Sequence, residues 1–230
     1  MDSVAQRVGC VTPRLTCAPD GGHSGERTQV TAHYIALDGA EGSGKSSQSA
    51  RLAASIDAVL TRETGGTPIG ARIRDILHDA TNTELVDRAE LLLTAADRAQ
   101  HLEQVVMPAL NAGRHVVSDR SVYTALAYQG FGRGLDLDVV RQINDWAIGG
   151  RWPDLVVMLD VADEVLAERM HGRELDRFEL QSGEFHARVL DGFRTMAAAD
   201  PERWVIVDGN GTPEQVGSAI RAAVSERLGI

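Results

Sequence analysis

Residues 37–47 read LDGAEGSGKSS, and this stretch decides the fold. Its middle part, GAEGSGKS (39–46), fits the pattern GxxxxGK[ST]. An apolar run ends at Asp38, and KSSQSARLAAS (45–55) has the composition of a helix. The three glycines allow successive backbone amides to turn toward one anion, and a helix N-terminus adds partial positive charge. The stretch therefore predicts a phosphate-binding loop between a strand and a helix, with an accidental glycine-rich turn as the alternative.

The chain contains 23 lysines and arginines together, and Lys45 is the only lysine. A compact ammonium on a flexible stem follows a transferring phosphoryl group better than a planar guanidinium does. We therefore predict that Lys45 reaches the β- and γ-phosphates of a nucleotide as a catalytic residue, and that the Ser46 hydroxyl binds Mg²⁺. The predicted nucleotide-binding residues are Gly39, Ala40, Glu41, Gly42, Ser43, Gly44, Lys45, Ser46 and Ser47.

Composition limits the classes of function that the chain can have. With 230 residues, 43% hydrophobic and 24% charged, it predicts one ordinary globular domain. The formal net charge of -10 argues against a general nucleic-acid binder, because phosphate backbones are held by surplus positive charge. No apolar run is long enough to span a bilayer and no basic-apolar leader begins the chain, so we expect no membrane partner and a cytoplasmic location. Cys10 and Cys17 lie outside any periodic pattern, which argues against a disulfide or metal role.

Residues 1–31 mix Gly, Pro, Ser, Thr and charge without periodicity, and we interpret them as a disordered N-terminal extension. We assign residues 32–230 to one domain. Five apolar runs in it alternate with amphipathic stretches, which is typical of a parallel sheet with helices on both faces. The prediction is an α/β three-layer sandwich of the P-loop NTPase type, with a five-stranded parallel sheet and a short lid. The predicted strands are HYIALD, DAVLT, HVVSD, DLVVMLD and RWVIVD.

A long helical segment is predicted over 83–112, ended by Gly113. We expect its apolar stripe to contain Leu92, Ala96, Ala99, Val106 and Leu110. Further helices are predicted over 136–148, 163–170, 183–199 and 213–228.

Arg98 also lies in the long segment, four residues after Thr94, so the two side chains share a helix face. Arg98 is therefore a candidate for a cleft, and a surface contact with Asp97 is an equal alternative.

A second cluster of charge follows the run HVVSD, where Asp119 and Arg120 come at the carboxyl end of a predicted central strand. Ligands of open α/β sheets bind at such ends. We predict that Asp119 holds Mg²⁺ or positions an attacking oxygen, and that Arg120 grips a substrate phosphate. A structural Asp-Arg pair that caps the helix is the alternative.

The stretch RMHGRELDRFE (169–179) places Arg169, Arg173 and Arg177 around Gly172. We interpret it as an arginine-bearing lid over about 170–182, which excludes water when it closes and brings guanidinium groups to the phosphates. For each arginine, an ordinary solvated helix surface is the alternative.

Several segments make the chain resemble the thymidylate kinases over about residues 33–223. These are LDGAEGSGKSSQ, TRETGGTPIGARIRDIL, LLLTAADRAQHLEQVVMPALNAGRHVVSDR, ALAYQG, INDWAIGGRWPDLVVMLDV and DRFELQSGEFHARV. The resemblance implies phosphorylation of dTMP to dTDP by ATP with Mg²⁺, and a homodimer packed through helices. It also implies the bacterial type, in which the lid and not the phosphate loop supplies the catalytic arginines.

The resemblance also implies roles for residues of the acceptor side. Glu41 would lie near the acceptor phosphate and magnesium, while Arg62 and Arg120 would hold the monophosphate. Arg98 would hydrogen-bond thymine, and Tyr128 would face the deoxyribose. The full set of predicted substrate-binding residues is Glu41, Arg62, Thr94, Arg98, Arg120, Ala125, Tyr128 and Gln129.

Three departures from the family pattern fall on the acceptor side. Thr94 stands where the family has the phenylalanine on which thymine stacks, an interaction worth about 1–3 kcal/mol. Thr64 replaces a proline, and DRSVYTA (119–125) replaces the usual DRYxDSS. Tyr123, in the altered stretch, is a candidate replacement for the missing ring. Two alternatives remain open: a kinase for another pyrimidine monophosphate, and a nucleotide-binding module without turnover.

Overall fold

The computed structural model describes residues 31–230. The predictions made for the extension over 1–31 and for Cys10 and Cys17 fall almost wholly on residues 1–30, outside the described part.

Within residues 31–230, five parallel strands form one sheet in the order β2-β3-β1-β4-β5. The strands are β1 (Tyr34–Gly39), β2 (Val59–Arg62), β3 (Val116–Asp119), β4 (Leu155–Asp160) and β5 (Trp204–Asp208). The predicted five-stranded parallel sheet is confirmed, and each of the five apolar runs supplies one strand. In register, Asp119 pairs with Leu37 on one side and with Arg62 on the other, so the carboxyl ends of β1, β2 and β3 meet at one edge.

Helices cover both faces of the sheet. They are α1 (Lys45–Ser55), α2 (Pro68–His78), α3 (Asp87–His101), α4 (Met107–Asn111), α5 (Val122–Ala125), α6 (Leu137–Ala147), α7 (Asp163–Met170), α8 (Gly183–Ala199) and α9 (Pro213–Leu228). None of those in residues 31–230 is both long enough and apolar enough to cross a bilayer.

Alternating residues of the strands divide the core into two clusters, which is the reason for the three layers. One face of the sheet buries Tyr34, Val116, Met158 and Trp204 with the helices α3, α5, α6 and α8. The other buries Ile35, Leu37, Val117 and Leu159 against side chains of α1 and α9.

The long helical segment is confirmed in part. It begins at Asp87, passes through a π-helical turn at Leu102–Val106 into α4, and ends before Gly113, whose φ is +74°. The predicted apolar stripe is wrong on α3, because Leu92 is 57% exposed. The inner face of α3 instead carries paired polar groups, which a search for apolar periodicity passes over.

Two helical segments were not predicted. Thr67 begins α2 by accepting a hydrogen bond from the amide of Gly70 at 2.9 Å, and Pro68 follows at the first helical position. Ser121 caps the short α5, which continues as a π-helical turn over Leu126–Gly132. Both helices contribute lining residues to the cavity at the carboxyl ends of β1, β2 and β3.

Candidate functional site

The phosphate loop lies between β1 and α1 and requires glycine at both ends. Gly39 has φ +140°, and a Cβ there would lie 2.7 Å from the carbonyl oxygen of Leu159. Gly44 has φ +92° and precedes α1, which has no side-chain cap at its N-terminus. The first amides of α1 are therefore available to a ligand, and the helix dipole favours an anion there.

Lys45 is buried and folds over this loop. Its Nζ donates to the carbonyl oxygen of Ala40 at 2.7 Å and lies 3.4 Å from Oγ of Ser43. Burial, followed by the nearby Arg120, lowers the pKa of Lys45 to about 8, although acidic neighbours oppose the shift. Among residues 31–230, no carboxylate forms a hydrogen bond or an ion pair with this ammonium.

Ser46 and Asp119 form the predicted metal pair. The Ser46 hydroxyl donates to Oδ2 of Asp119 at 2.5 Å, while Oδ1 of Asp119 is buried without a hydrogen-bond partner in the described structure. Hydroxyl and carboxylate oxygens are suitable ligands for Mg²⁺, which usually keeps several waters and takes its other ligands from phosphate. No cluster of three or more His, Cys, Asp or Glu among residues 31–230 suits a metal by itself. The pair fits a magnesium that arrives with its nucleotide.

Arg120 contacts Glu41 and not Asp119. Its Nη2 donates to Oε1 of Glu41 and lies 3.3 Å from the hydroxyl of Tyr128, which itself donates to Glu41 at 3.0 Å. The alternative of a capping Asp-Arg pair is therefore wrong. Arg120 has φ +70°, a conformation uncommon outside glycine that turns the residue back toward the phosphate loop.

Burial raises the pKa of Glu41, but Arg120 and Lys45 outweigh this effect and hold that pKa well below its ordinary value. Glu41 is thus an anion that lies near two cations.

Sequence reasoning missed Asp38, a buried carboxyl at the end of β1. It accepts hydrogen bonds from the hydroxyls of Ser121 and Thr124, both at 2.6 Å. Burial raises its pKa, while the Ser121 and Thr124 hydrogen bonds act in the opposite direction. Ser121, one of the departures from the family pattern, thus ties the start of α5 to the phosphate loop.

The acceptor end contains two arginines without an acidic partner. Neither Arg62 nor Arg74 forms an ion pair with any described residue. Burial, then Arg62 and Arg120, lowers the pKa of Arg74, which donates to the carbonyl oxygen of Thr64 at 3.3 Å. Sequence reasoning missed Arg74. It lies on α2, in the same stretch TRETGGTPIGARIRDIL that contains Arg62.

Arg98 is 2% exposed, so the alternative of a surface contact with Asp97 is wrong. Its Nε donates to Oε2 of Glu63 at 2.7 Å, and its other nitrogens donate to Asn144 and to the carbonyl oxygen of Ser121. Glu63 also accepts from His101 and from the hydroxyl of Tyr34. Burial raises the pKa of Glu63, but Arg98 and His101 outweigh this effect and hold that pKa below its ordinary value.

Thr94 offers no ring to the acceptor side; its hydroxyl donates to the carbonyl oxygen of Leu91 at 2.8 Å. Tyr123 does not replace the ring, since it is buried against Trp152 and Trp204. Three other rings line the cavity, those of His78, Tyr128 and Phe178, and sequence reasoning had singled out only Tyr128.

Residues 171–182 connect α7 to α8 and correspond to the predicted lid; Arg169 lies in the last turn of α7, whereas Arg173 and Arg177 lie in the connection. Arg169 donates to the carbonyl oxygens of Ser43 and Gly209 at 3.3 and 3.0 Å. Arg173 is half exposed and lies 3.6 Å from Glu179.

The position of Arg177 differs from the expected one. It is buried, pairs with Glu90 at 2.5 Å and donates to the carbonyl oxygen of Leu77 at 2.8 Å. A catalytic contact from Arg177 would require this anchor to break.

These groups surround one cavity of about 580 Å³. It reaches from the phosphate loop to residues 63–67, the connection between β2 and α2 that we name the acceptor loop, and residues of the predicted lid also line it. Of the predicted site residues, those that line it are Glu41, Gly42, Gly44, Lys45, Ser46, Ser47, Arg62, Thr94, Arg98, Asp119, Arg120, Ala125, Tyr128, Gln129, Arg169 and Arg173. Those that do not are Gly39, Ala40, Ser43 and Arg177, of which the first three shape the loop backbone.

A family model described as "Thymidylate kinase" matches residues 37–220, which include the phosphate loop, the acceptor loop and the lid. The chain belongs to the thymidylate kinase family. A thymidylate kinase from Trichlorobacter lovleyi is 48% identical over 209 residues, covering 86% of this chain and 99% of that protein. One from Maridesulfovibrio salexigens is 40% identical over 208 residues, covering 85% and 96%.

A thymidylate kinase with a solved structure shares the fold. The crystal structure of a thymidylate kinase from Ehrlichia chaffeensis superposes with a TM-score of 0.69 at 29% identity, covering 86% of this chain and 98% of that one. The P-loop α/β fold and the kinase class predicted from the sequence are therefore confirmed for this thymidylate kinase family member.

Proposed function

We propose that the protein transfers the γ-phosphoryl group of ATP to dTMP, giving dTDP and ADP, with Mg²⁺. The observation that carries this proposal is a single cavity with phosphate-binding groups at two ends. Lys45 and the first amides of α1 lie at one end, while Arg62, Arg74 and Arg120 lie at the other. Two separate sets of cations suit two phosphate-bearing substrates that meet between them.

In the reaction, an oxygen of the dTMP phosphate forms a bond to the γ-phosphorus of ATP, and the bond from that phosphorus to the β–γ bridging oxygen breaks. Lys45 neutralises charge on the β- and γ-phosphates during the transfer. Mg²⁺, held by Ser46 and Asp119, would supply further neutralisation of the same oxygens. Arg169 and Arg173 lie on the lid side of the cavity, where guanidinium groups stabilise the transferring group.

Glu41 and Arg120 organise the acceptor. Arg120 grips the acceptor phosphate after it exchanges Glu41 for phosphate oxygens, and Arg62 and Arg74 hold the other oxygens. Tyr128, fixed by its hydrogen bond to Glu41, presents its ring beneath the sugar. No side chain has to accept a proton from the dTMP phosphate, because that phosphate is already largely ionised at neutral pH.

The test is a panel of nucleoside monophosphates with ATP and Mg²⁺, read through coupled formation of ADP. We expect kcat/KM for dTMP to exceed that for dUMP, CMP and AMP, and Lys45→Ala to abolish turnover while keeping the fold by circular dichroism. Preference for another pyrimidine would assign the Thr94 pocket to that base and refute the dTMP proposal. Nucleotide binding without turnover would refute the kinase proposal.

We also propose a homodimer. The helices α2 and α6 both pack against α3. These three helices expose large apolar side chains, namely Ile69, Ile76, Leu92, Leu137, Val139 and Trp146. Exposed apolar area of this kind is typical of an interaction surface. Light scattering is expected to give twice the chain mass, and Leu92→Glu to give a monomer; a monomeric parent would overturn the proposal.

The supply of ATP and deoxynucleotides in the cytoplasm supports the predicted cytoplasmic location. A fusion to a fluorescent protein, imaged in cells, is expected to show a uniform cytoplasmic signal.

A further inference from the structure

His78 joins the acceptor side of the cavity to the lid. It is the last residue of α2, and its ring lines the cavity. Its Nδ1 lies 2.6 Å from Oδ2 of Asp176 in the lid, and its Nε2 lies 3.5 Å from Oγ1 of Thr64 in the acceptor loop. The ring also packs edge-to-face on Phe178, with 5.2 Å between centroids. One side chain thus contacts two segments that are far apart in the sequence.

The backbone adds to this link, since the amide of Arg177 donates to the carbonyl oxygen of His78 at 3.1 Å. A main-chain bond fixes the distance between α2 and the lid. The His78 side chain fixes the orientation of the lid turn that begins at Asp176.

Asp176 is connected to Arg173 through Glu179. Its second oxygen, Oδ1, accepts from the amides of Phe178 and Glu179, both at 2.9 Å, while its own amide donates to Oε2 of Glu179 at 3.0 Å. The other oxygen of Glu179 lies 3.6 Å from Nη2 of Arg173. A continuous series of contacts therefore runs from His78 through Asp176 and Glu179 to an arginine that lines the cavity.

The hydrogen-bond partners of His78 indicate which of its ring nitrogens carries a proton. Because an ionised carboxylate only accepts, Nδ1 carries a proton toward Asp176, and the Thr64 hydroxyl can donate to Nε2. Burial raises the pKa of Asp176, but the hydrogen bond from His78 and the other favourable contacts outweigh this effect. The pKa therefore lies below its ordinary value and the carboxylate stays charged. Arg74 and Glu41 are the other charged groups whose fields reach this carboxylate.

We propose that His78 is a positioning residue, which sets the place of Arg173 over the cavity through Asp176 and Glu179. The inference rests on the proposed kinase function. Arg177, the next residue, is held by Glu90 and by the carbonyl oxygen of Leu77, but neither contact reaches Arg173. The side-chain contacts that lead to Arg173 start at the bond between His78 and Asp176. Small displacements of a group that acts on the transferring phosphoryl reduce the rate strongly.

Two substitutions of His78 separate its two bonds. Asparagine places its amide nitrogen where Nδ1 stands and keeps the bond to Asp176, whereas glutamine reaches the position of Nε2 and keeps the contact with Thr64. We expect His78→Gln to lower kcat about tenfold with KM for dTMP within about twofold, because Arg173 acts mainly in the transition state. His78→Asn is expected to retain kcat within about threefold.

Limited trypsin digestion provides a second reading that needs no turnover. Cleavage after Arg173 is expected to be several-fold faster in His78→Gln than in the parent and in His78→Asn, because the lid turn loses its partner. Asp176→Asn tests the bond from the other side if His78→Gln folds poorly.

Three results would overturn the proposal: glutamine and asparagine variants with equal kcat, cleavage after Arg173 at the parental rate in His78→Gln, or a fall in kcat that follows lost thermal stability in both variants alike. Failure of the parent to phosphorylate dTMP would refute the kinase assignment instead, and the digestion would still report on the lid.

Discussion

Replacing Glu63 by glutamine is expected to lower the free energy of unfolding by about 3 kcal/mol, the low end of the range for breaking a buried ion pair. Glu63 and Arg98 are each 2% exposed at their side chains and lie 2.7 Å apart. The change leaves the guanidinium without its counter-ion. The low end applies because Arg98 keeps its bonds to Asn144 and Ser121, and glutamine still accepts hydrogen bonds.

Urea unfolding followed by circular dichroism measures this loss, and the melting temperature is expected to fall by roughly 6–12 °C for a chain of this size. The exposed pair of Arg51 and Glu214 offers a matched control, since Glu214→Gln removes the same charge at the surface and is expected to leave the melting temperature unchanged. A double variant, Glu63→Gln with Arg98→Met, is expected to be more stable than Glu63→Gln alone, because no uncompensated charge remains.

The pH dependence gives the sign of the effect. The folded-state pKa of Glu63 lies below its ordinary value of 4.5, so its contribution to stability is complete above that pH and is lost as pH falls through the folded-state pKa. The difference between parent and variant should therefore be full at pH 7 and shrink in acid. A difference below 1 kcal/mol at pH 7, or one that grows in acid, would refute the reasoning.

Four further outcomes are expected. Lys45→Arg lowers kcat by about two orders of magnitude in the coupled assay while ATP still binds, because a guanidinium cannot follow the transferring group; parental kcat would contradict the role of the ammonium. The affinity of the free enzyme for ATP, measured by calorimetry, falls about tenfold from pH 7 to pH 9 as Lys45, with a pKa of about 8, loses its charge, and Lys45→Met lacks this slope. Arg74→Met raises KM for dTMP about tenfold whereas Arg72→Met, on the exposed side of α2, leaves it unchanged; equal effects would remove Arg74 from the site. Asp119→Asn raises the Mg²⁺ concentration for half-maximal rate about tenfold, and an unchanged requirement would remove Asp119 from the metal site.

The strands and the phosphate loop were predictable because their signals are local. An apolar run between turns indicates a strand, and a glycine pattern followed by a lysine indicates a loop at a helix start. Arg120 was predictable for the same reason, since it directly follows β3 at the carboxyl ends of the strands, where ligands bind.

The inner face of α3 was not predictable in this way. Its buried positions include Arg98, Asp97 and Glu90, and each depends on a partner that is distant in the sequence. A partner more than thirty residues away produces no periodic pattern in the sequence of the helix. The apolar pattern therefore predicted Leu92 as a core residue, although its side chain is exposed. The same holds for the burial of Arg177, because its ion pair with Glu90 joins residues that are far apart in the sequence.

The solitary ammonium of this chain has a chemical consequence. The sequence offers amine-directed reagents two amines, the α-amino group and the side chain of Lys45. Because the pKa of Lys45 is about 8, a larger fraction of this amine is neutral and nucleophilic at neutral pH than of an ordinary lysine. Acylation at this nitrogen removes the charge that a triphosphate needs. We therefore expect acetylation or carbamylation of Lys45 to inactivate the protein, and we expect bound nucleotide to slow that reaction.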